Sequence, residues 1–480
     1  MITITRCQAR RLAAVFRRHA LGLARKGPAP PLVLHPEPGG GLRVRFHHPA
    51  LAVEFIAPGD ARGEGPVALP LEAPADVAGR DEGTVTLEAA EPGRTLVSWA
   101  DRGIPRSRAY AVMPVANLAP FPGLPDRFEP IPAAVLEALA EAAATTDADS
   151  TRYALGCIAL RGESADLAAT DGRQVLLQGG FRWPWAGTVL VRRPPPLAGK
   201  ELPRGRPVEV GKTDTHVALR AGPWTVWLAI QADARFPDVD RAIPAAGAAA
   251  TRLRLDPADA AFLAGALDRL PGGELTNAPV TVDCNGVVAV RARGEGEDRP
   301  TELVLARSVY SGDPSRSCIN RAFLARVVGL GLTELEFGGP DQPVACRGGG
   351  RVYAFQPLST EGAIEPAEDA IRIESGPFQS PSLARRSGET PKARNPVSER
   401  TPRPGVTPPA DGGAEPPSHP GGAGLAPLIQ EAVALHDALG EARARAARLI
   451  GALRRERKRS RLLTSTLVQL RALKLQEVAE

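Results

Sequence analysis

Residues 167–178 read Leu-Ala-Ala-Thr-Asp-Gly-Arg-Gln-Val-Leu-Leu-Gln, and this stretch decides the fold. An apolar run reaches Thr170 and resumes at Val175, with Asp171-Gly172 between the two runs. Because glycine adopts a positive φ without steric cost, Asp-Gly between such runs predicts a β-hairpin. A second strand-like run, Thr-Arg-Tyr-Ala-Leu-Gly-Cys-Ile-Ala-Leu, precedes it at residues 151–160. On these residues alone, the pattern is also explained by an ordinary β-hairpin that carries no particular function.

A pattern of one helix followed by several strands occurs three times along the chain. Residues 2–26 predict a strand and then a helix, while 132–144 and 257–270 predict the helices that open two further copies. The first two copies both end in Phe-Pro followed by an acidic turn. Repetition of this kind is a statement about architecture. We therefore expect the α+β fold class, with domains at residues 1–126, 127–248 and 249–360.

Two further segments follow the third copy. Residues 361–424 are rich in Pro and Gly and poor in aliphatic side chains, which predicts a disordered linker. Residues 425–478 carry apolar residues at alternating steps of four and three, a heptad pattern that predicts a helical coiled-coil tail. The basic cluster at residues 454–461 either binds nucleic acid or is a solvated part of that coiled coil.

The composition limits the class of protein. Five scattered cysteines without Cys-x-x-Cys spacing argue against a disulfide framework or a zinc site and favour a reducing, cytoplasmic compartment. No apolar run approaches the roughly 18 residues of a membrane span. The N-terminal residues lack the apolar core of a signal peptide. The net charge of +5 belongs to residues 425–480, where eleven Lys and Arg stand against six Asp and Glu.

The patterns that would indicate an enzyme fail on inspection. Gly211-Lys212-Thr213 suggests a phosphate-binding loop, but position 206 is Arg instead of the required Gly and a strand follows. His47 and His48 are adjacent on a predicted strand and point to opposite faces, which makes them a poor pair of metal ligands. We find no catalytic constellation and expect neither an enzyme nor a cofactor.

The two runs around the hairpin resemble the middle domain of the bacterial DNA polymerase III β sliding clamp. In that family an Arg-Tyr-x-Leu-x-Gly strand precedes an Ala-Thr-Asp-Gly-His-Arg-Leu hairpin. Here Arg-Tyr-Ala-Leu-Gly occupies residues 152–156, with its Gly one place early, and Ala-Thr-Asp-Gly-Arg-Gln-Val occupies residues 169–175. The resemblance covers residues 1–360 and is strongest in the middle copy. The linker and the tail are departures from the family.

The resemblance implies three DNA-clamp domains, with helices lining a channel and antiparallel sheets outside, in head-to-tail homodimers that close a six-domain ring. It implies a processivity factor that encircles duplex DNA without sequence preference. Short peptide motifs would tether a DNA polymerase, the ATP-driven clamp loader and repair proteins. The alternative is a diverged clamp paralogue that acts as a non-encircling scaffold through its basic coiled-coil tail.

The resemblance also assigns a hydrophobic pocket for partner peptides of a Gln/Leu/Phe type. Its members are Leu155, Thr170, Gly172, Arg173, Gln174, Val175, Pro237, Ala242, Val344, Gln356, Pro357 and Leu358. Arg173 and Gln174 replace the usual His-Arg, and Ala242 stands where a larger aliphatic residue is expected. These three departures affect the expected peptide preference. The alternative is that these residues form only core and turn.

The candidate DNA-binding residues are basic side chains of the first two copies. They are Arg10, Arg17, Arg25, Lys26, Arg192 and Arg193. A sliding ring needs modest positive charge and no base readout, because weak phosphate attraction permits sliding. Against this assignment, the second helix carries Glu137 and Glu141, and the third carries Asp259 and Asp268. A solvated helix surface is the alternative.

Overall fold

The computed structural model describes residues 1–17, 21, 23, 28–59, 61–147, 154–194 and 206–376, which belong to one compact unit. The predicted coiled-coil tail at 425–478 lies outside these residues, as does the part of the predicted linker beyond residue 376. No helix in the described ranges is both long and apolar enough to span a membrane. The limits of the three predicted domains stay predictions, and we use the word repeat for the recurring order of elements.

The described elements are mostly strands. The first repeat contains β1 (Ile2–Thr5), α1 (Arg6–Val15), β2 (Leu32–Pro36), β3 (Leu42–His48), β4 (Leu51–Ala57), β5 (Arg62–Gly63), β6 (Val67–Leu69), α2 (Ala73–Asp76), β7 (Thr84–Glu91), β8 (Arg94–Asp101), β9 (Ile104–Ala111) and a 3-10 turn at Val115–Asn117. The second contains β10 (Glu129–Ile131), α3 (Val135–Ala143), β11 (Cys157–Arg161), β12 (Asp166–Thr170), β13 (Gln174–Gly179), β14 (Thr188–Arg192), β15 (Val208–Lys212), β16 (His216–Ala221), β17 (Trp224–Ala229) and a 3-10 turn at Asp240–Ala242.

The third repeat closes the series and is followed by one more strand. It contains β18 (Thr251–Arg254), α4 (Pro257–Ala266), a 3-10 turn at Leu267–Arg269, β19 (Pro279–Asn285), β20 (Val287–Ala292), β21 (Thr301–Val304), β22 (Val309–Gly312), β23 (Ser315–Asn320), α5 (Arg321–Gly329), β24 (Glu334–Phe337), β25 (Val344–Gly348), β26 (Arg351–Phe355) and a 3-10 turn at Thr360–Gly362. The last strand is β27 (Ile371–Glu374).

Each repeat builds two sheets on the same four-stranded plan, and β5 and β22 add a fifth strand beside β1 and β18. The first sheet has orders β6-β2-β3-β4, β14-β11-β12-β13 and β23-β19-β20-β21 in the three repeats. The second has orders β1-β7-β8-β9, β10-β15-β16-β17 and β18-β24-β25-β26. One edge strand of each sheet is therefore equivalent across the repeats: β4, β13 and β21 in the first sheet, and β9, β17 and β26 in the second.

Neighbouring repeats are joined by pairing these equivalent edges. β4 pairs antiparallel with β17, and β13 pairs antiparallel with β26, so that sheets run continuously from one repeat into the next. Apolar packing reinforces the first joint, because the ring of Trp224 lies 4.5 Å from that of Phe55. The core of the first two repeats is accordingly one continuous apolar cluster, and the third repeat has its own.

The second joint also contains part-buried polar contacts from α5 and β26 to α3 and the residues just after it. Arg326 donates to the carbonyl oxygen of Glu141 and to Oγ1 of Thr145, 2.9 Å away. Arg351 forms an ion pair with Glu141 at 3.1 Å. Burial lowers the pKa of Arg326 and raises that of Glu141, which is the direction expected when charged groups are partly removed from water.

We expect Arg326→Met to lower the free energy of unfolding by about 2 kcal/mol, since hydrogen bonds from charged groups contribute about 1.5–3 kcal/mol each. Urea titration measures this loss. Arg241→Met is the matched control, because the Arg241 side chain is 88% exposed and its ion pair is with nearby, exposed Asp238; its expected change is below about 0.5 kcal/mol. Equal losses in the two variants would contradict this account of the joint.

Three predicted boundaries are corrected. The helix expected to reach residue 26 ends at Val15, because Phe16 turns inward and its ring lies 6.3 Å from that of Trp224. The strand expected from residue 151 begins at Cys157, because Ala154–Gly156 form a turn in which Cys157 N–H donates to the Ala154 carbonyl. Residues 361–376 of the predicted linker contain β27, whose alternating Ile-Arg-Ile-Glu sequence suits an available sheet edge.

Candidate peptide site and DNA-facing residues

The hairpin predicted from Asp171-Gly172 is present between β12 and β13. Gly172 has φ +87°, the left-handed conformation for which glycine is suited. Asp171 holds the turn together, since its Oδ1 accepts from the backbone N–H groups of Arg173 at 2.8 Å and Gln174 at 3.0 Å. Thr170 also contributes, because its hydroxyl accepts from Gly172 N–H and donates to the Gln174 carbonyl. The turn is therefore fixed by its own side chains.

Gln174 connects this hairpin to the third repeat. Its amide nitrogen donates to Asp171 Oδ2 at 2.8 Å, and its Oε1 accepts from the Tyr353 hydroxyl at 2.6 Å. Burial raises the pKa of Tyr353, so the hydroxyl keeps its proton and remains a donor. Gln356 N–H also donates to the Arg173 carbonyl at 2.9 Å. The hairpin is thereby held between two repeats.

Apolar side chains of the second repeat gather beside the hairpin. Val175, Leu190 and Val239 are buried in a small cluster that is separate from the two main cores. Half-buried Leu177, Phe236 and Ile243 pack against it. We call these three half-buried side chains, together with Val175 and Val239 beneath them, the shelf. A shelf of this kind suits the anchoring of a small apolar motif.

Arg161 fixes the segment that carries most of the shelf. Its guanidinium binds both oxygens of Asp166 at 2.6 Å and also Asp240 Oδ2 at 2.6 Å. The hydrogen bond to Asp166 is the main cause of the raised pKa of Arg161. Because Asp240 lies between Val239 and Ile243, this bridge ties the segment to β11 and β12. Behind it, Leu190, Phe236 and Val239 also line a cavity of about 510 Å³.

The structure brings together some of the twelve predicted pocket residues. A methyl group placed on Gly172 would lie 3.8 Å from Leu155 Cδ1, and Ala154 N–H donates to the Arg235 carbonyl, two residues before Pro237. Leu155, the Thr170–Val175 hairpin, Pro237 and Gln356 thus lie near one another. Of the twelve, only Pro237 lines the 510 Å³ cavity.

The remaining predicted pocket residues differ in exposure and contacts. Val344 is fully buried in the core of the third repeat. Pro357 is buried, and Leu358 donates its N–H to the carbonyl of Cys318 on β23. Ala242 is exposed, whereas the next residue, Ile243, packs on the shelf. Four shelf residues, Leu177, Phe236, Val239 and Ile243, are not among the twelve predicted from the sequence. The spacing of three and four from Phe236 to Val239 to Ile243 was a usable signal for three of them.

The candidate DNA-binding residues that are described are exposed. Arg10 is exposed on α1, and Arg17 is exposed two residues beyond its end; Arg25 and Lys26 lie outside the described residues. Arg192 is exposed on β14 and donates to Gln231 Oε1 at 2.8 Å, and Arg193 follows it. These side chains are therefore available to phosphate groups in two separate repeats.

Two of the acidic residues that argued against a DNA-facing surface are engaged inside the protein. Asp259 is completely buried and accepts from the backbone N–H groups of Arg307 and Ser308. Glu141 is paired with Arg351 in the joint between the second and third repeats. Glu137 and Asp268 remain exposed. The opposing negative charge is thus smaller than the sequence suggested. The described residues contain no cluster of His, Cys, Asp or Glu that could hold a metal ion.

Three repeats joined sheet to sheet define the fold of a DNA sliding clamp. Among solved structures, the chain is similar to DNA polymerase III subunit beta from Pseudomonas aeruginosa, with TM-score 0.61 and 17% identity over 75% of this chain and 100% of that one. It is also similar to the sliding clamp from Bacillus subtilis, with TM-score 0.61 and 16% identity over 75% of this chain and 99% of that one. The β subunit from Thermotoga maritima is similar with TM-score 0.59 and 16% identity, over 75% of this chain and 99% of that one. No family model matches the chain, and no curated protein matches its sequence. The resemblance predicted from the hairpin is confirmed at the level of the fold.

Proposed function

We propose that this chain is a sliding clamp that encircles duplex DNA as a closed ring of two copies. The observation that carries the proposal is the pairing rule between repeats. The rule joins β4 to β17 and β13 to β26, which leaves β21 and β9 as the two edges without an equivalent partner in the chain. Applied once more, it pairs β21 of one copy with β9 of the next. A head-to-tail contact of this kind closes a ring when the rotation is right.

The backbone of β9 suits this role. Val112 donates to Gly93 on the β8 side, so alternate residues Ser107, Ala109 and Ala111 direct their N–H groups to the outer edge. On β21 the N–H of Leu305 donates to Val288 of the inner neighbour, which leaves Glu302 and Val304 facing outward. Among the described residues β9 pairs only with β8. An unpaired strand edge of this length is a template for another strand.

Exposed Arg10, Arg17, Arg192 and Arg193 would supply the weak phosphate attraction that a sliding ring needs. Such a ring is held by topology, and salt therefore affects it less than it affects an electrostatic complex. The free cysteines support action in a reducing compartment, the cytoplasm.

The test uses the full chain on nicked circular DNA and on the same DNA linearised, washed at high salt. A clamp stays on circles and is lost from linear ends. Equal loss from both DNAs would contradict the proposal and favour the second candidate, a non-encircling scaffold that works through residues 425–478. The specific observation that favours that candidate is β27, which lies on the outer edge of β21.

The shelf is proposed as the site that tethers a polymerase, a clamp loader or a repair protein through a short peptide motif. Phe236→Ala removes a half-buried aromatic side chain from it. We expect binding of a synthetic peptide with Gln, Leu and Phe anchors to weaken about tenfold or more, because aromatic anchors dominate such sites. Fluorescence anisotropy on the full chain measures the dissociation constant.

Phe128→Ala is the matched control for this prediction. Phe128 is another half-buried aromatic residue of the second repeat, but it packs against a different cluster, around Trp227. We expect peptide binding in this variant to stay within about twofold of the unmodified chain, a difference well below the 1.4 kcal/mol of a tenfold change. If both variants bind the peptide as tightly as the unmodified chain, the shelf is not the peptide site.

A further inference from the structure

The strand β27 lies on the edge that the pairing rule reserves for a second copy. It runs parallel to β21, with Thr301 opposite Ile371 and Val304 opposite Glu374. Ile371 N–H donates to the Pro300 carbonyl at 2.9 Å, and Ser375 N–H donates to the Val304 carbonyl at 3.0 Å. β27 follows the predicted third domain, which ends at residue 360, so it is an addition to the repeat.

We propose that β27 is a removable cap on the ring-closing edge of β21, and that β9 of a second copy displaces it when the ring closes. This proposal rests on the proposed function, since it takes β9 as the partner of β21. It adds a regulatory element within the same chain, in which a segment competes with ring closure until it is displaced.

Side chains at both ends of β27 show that it is docked specifically. Ser375 is buried, and its hydroxyl donates to Oδ1 of buried Asp259 at 2.5 Å. Arg372 donates to Oε1 of buried Glu302 at 2.7 Å. Arg299 donates to the Asp369 carbonyl at 2.7 Å just before the strand begins. The cap therefore has its own recognition contacts on β21 and α4.

Other features of β27 show that it is weakly held compared with the joints between repeats. All four of its residues are exposed, and Ile371 and Ile373 keep 49% and 44% of their surfaces in solvent. The pairing is parallel, which is slightly less stable per residue than antiparallel pairing. The joints β4·β17 and β13·β26 are antiparallel and pair five residues each, against four for β27. An antiparallel strand with a free edge, such as β9, can thus replace it on β21.

The direction of the backbone N–H groups supplies a matched pair of variants. Ile371 and Ser375 both donate to β21, so Ile373, which lies between them at the same parity, also directs its N–H inward. The N–H groups of Arg372 and Glu374 point outward. Proline has no N–H, so Ile373→Pro removes a backbone hydrogen bond to β21, whereas Glu374→Pro removes none. Both variants stiffen the backbone to the same extent, because each introduces one proline.

The experiment measures self-association of the full chain by sedimentation velocity for the unmodified protein, Ile373→Pro and Glu374→Pro. Under the proposal, Ile373→Pro lowers the dimer dissociation constant about tenfold or more, while Glu374→Pro matches the unmodified chain. The tail is identical in all three proteins, so it cannot produce the difference. A third variant adds Ser107→Pro in β9 to Ile373→Pro, which should reverse the gain; Ser107→Ala is its control.

Retention on nicked circular DNA separates failure of the cap from failure of the ring. The cap proposal is overturned, while the ring stands, if two results are found together. The unmodified chain and Ile373→Pro are half-retained on circular DNA at the same protein concentration, and they dimerise with the same dissociation constant. Weaker association of Ile373→Pro would overturn the cap as well, because β27 would then support the interface. If neither protein is retained on circles at any concentration, the proposed clamp function fails first.

Discussion

Replacing Arg291 by Met should lower the free energy of unfolding of the third repeat by about 3 kcal/mol. The Arg291 side chain is only 4% exposed and binds two buried carboxylates, Asp283 and Glu302, each at 2.5 Å. Removing one partner of a buried ion pair leaves an uncompensated charge, which typically costs about 3–5 kcal/mol. We expect the lower part of this range, because Arg316 and Arg372 still reach Asp283 and Glu302.

The surroundings of Asp283 make the third repeat sensitive to the loss of Arg291. Asp283 is completely buried, and its Oδ1 already has no hydrogen-bond partner among the described residues. Burial alone would raise the pKa of Glu302, but the hydrogen bonds from Arg291 and Arg372 outweigh it and hold that pKa below its usual value. Loss of Arg291 thus leaves two buried carboxylates with the more exposed Arg316 and Arg372 as their cationic partners.

Urea unfolding of the full chain measures the loss, with Arg94→Met as the control. Arg94 pairs with Glu91 at 3.8 Å on the surface, and both side chains are more than half exposed, so its expected change is below about 0.5 kcal/mol. The triple variant Arg291→Met, Asp283→Leu, Glu302→Leu should recover most of the loss, because it removes all three charges together. A single variant as stable as the unmodified chain would contradict this description of the network.

Trp224→Ala should lower the free energy of unfolding by about 4 kcal/mol, within the range of about 3–5 kcal/mol for large aromatic residues in cores. Trp224 is 7% exposed and lies in the joint between the first two repeats. It is register partner to Phe55 across β17 and β4, and it also contacts the ring of Phe16. The truncation therefore opens a cavity where one sheet passes into the next.

A graded series distinguishes this cavity from a general effect of mutation. Trp224→Phe keeps most of the apolar contact and should cost about half as much, since the cost of a large-to-small change grows with the cavity left behind. Leu124→Ala is the control, because Leu124 is 55% exposed and should change stability by less than about 0.5 kcal/mol. Similar losses in Trp224→Ala and Leu124→Ala would show that the joint does not depend on this ring.

Local patterns in the sequence predicted the elements whose chemistry is local. Asp171-Gly172 predicted the hairpin because turn residues act on their own backbone. Asp256 and Pro257 predicted the start of α4, and Asp256 caps the helix by accepting from Ala258 N–H. The threefold recurrence predicted the repeats, and the family resemblance predicted a clamp fold. Each of these signals lies within a few residues or in the order of elements.

Contacts between distant segments could not be predicted in the same way. Nothing near Ile371 indicates that it will lie against Thr301, so β27 was assigned to a disordered linker. Asp259 was counted as surface charge because its partners, Ser308 and Ser375, lie 49 and 116 residues away. Ala242, which the resemblance assigns to the pocket, is exposed, whereas Ile243 packs on the shelf. Alignment by resemblance places a residue along the chain, whereas packing on the shelf depends on how the 3-10 turn at 240–242 rotates.

Covalent closure of the proposed ring is the most direct test of the central claim. Arg106→Cys on β9 and Thr301→Cys on β21 place one thiol at each ring-closing edge, and a short bis-maleimide links them across two copies; Cys7→Ser removes the native half-buried thiol. The protein is assembled with nicked circular DNA and then cross-linked. It should remain on the circular DNA in denaturant and be released once the DNA is cut. Cross-linked protein that denaturant strips equally from circular and linear DNA would show that the chain does not encircle DNA.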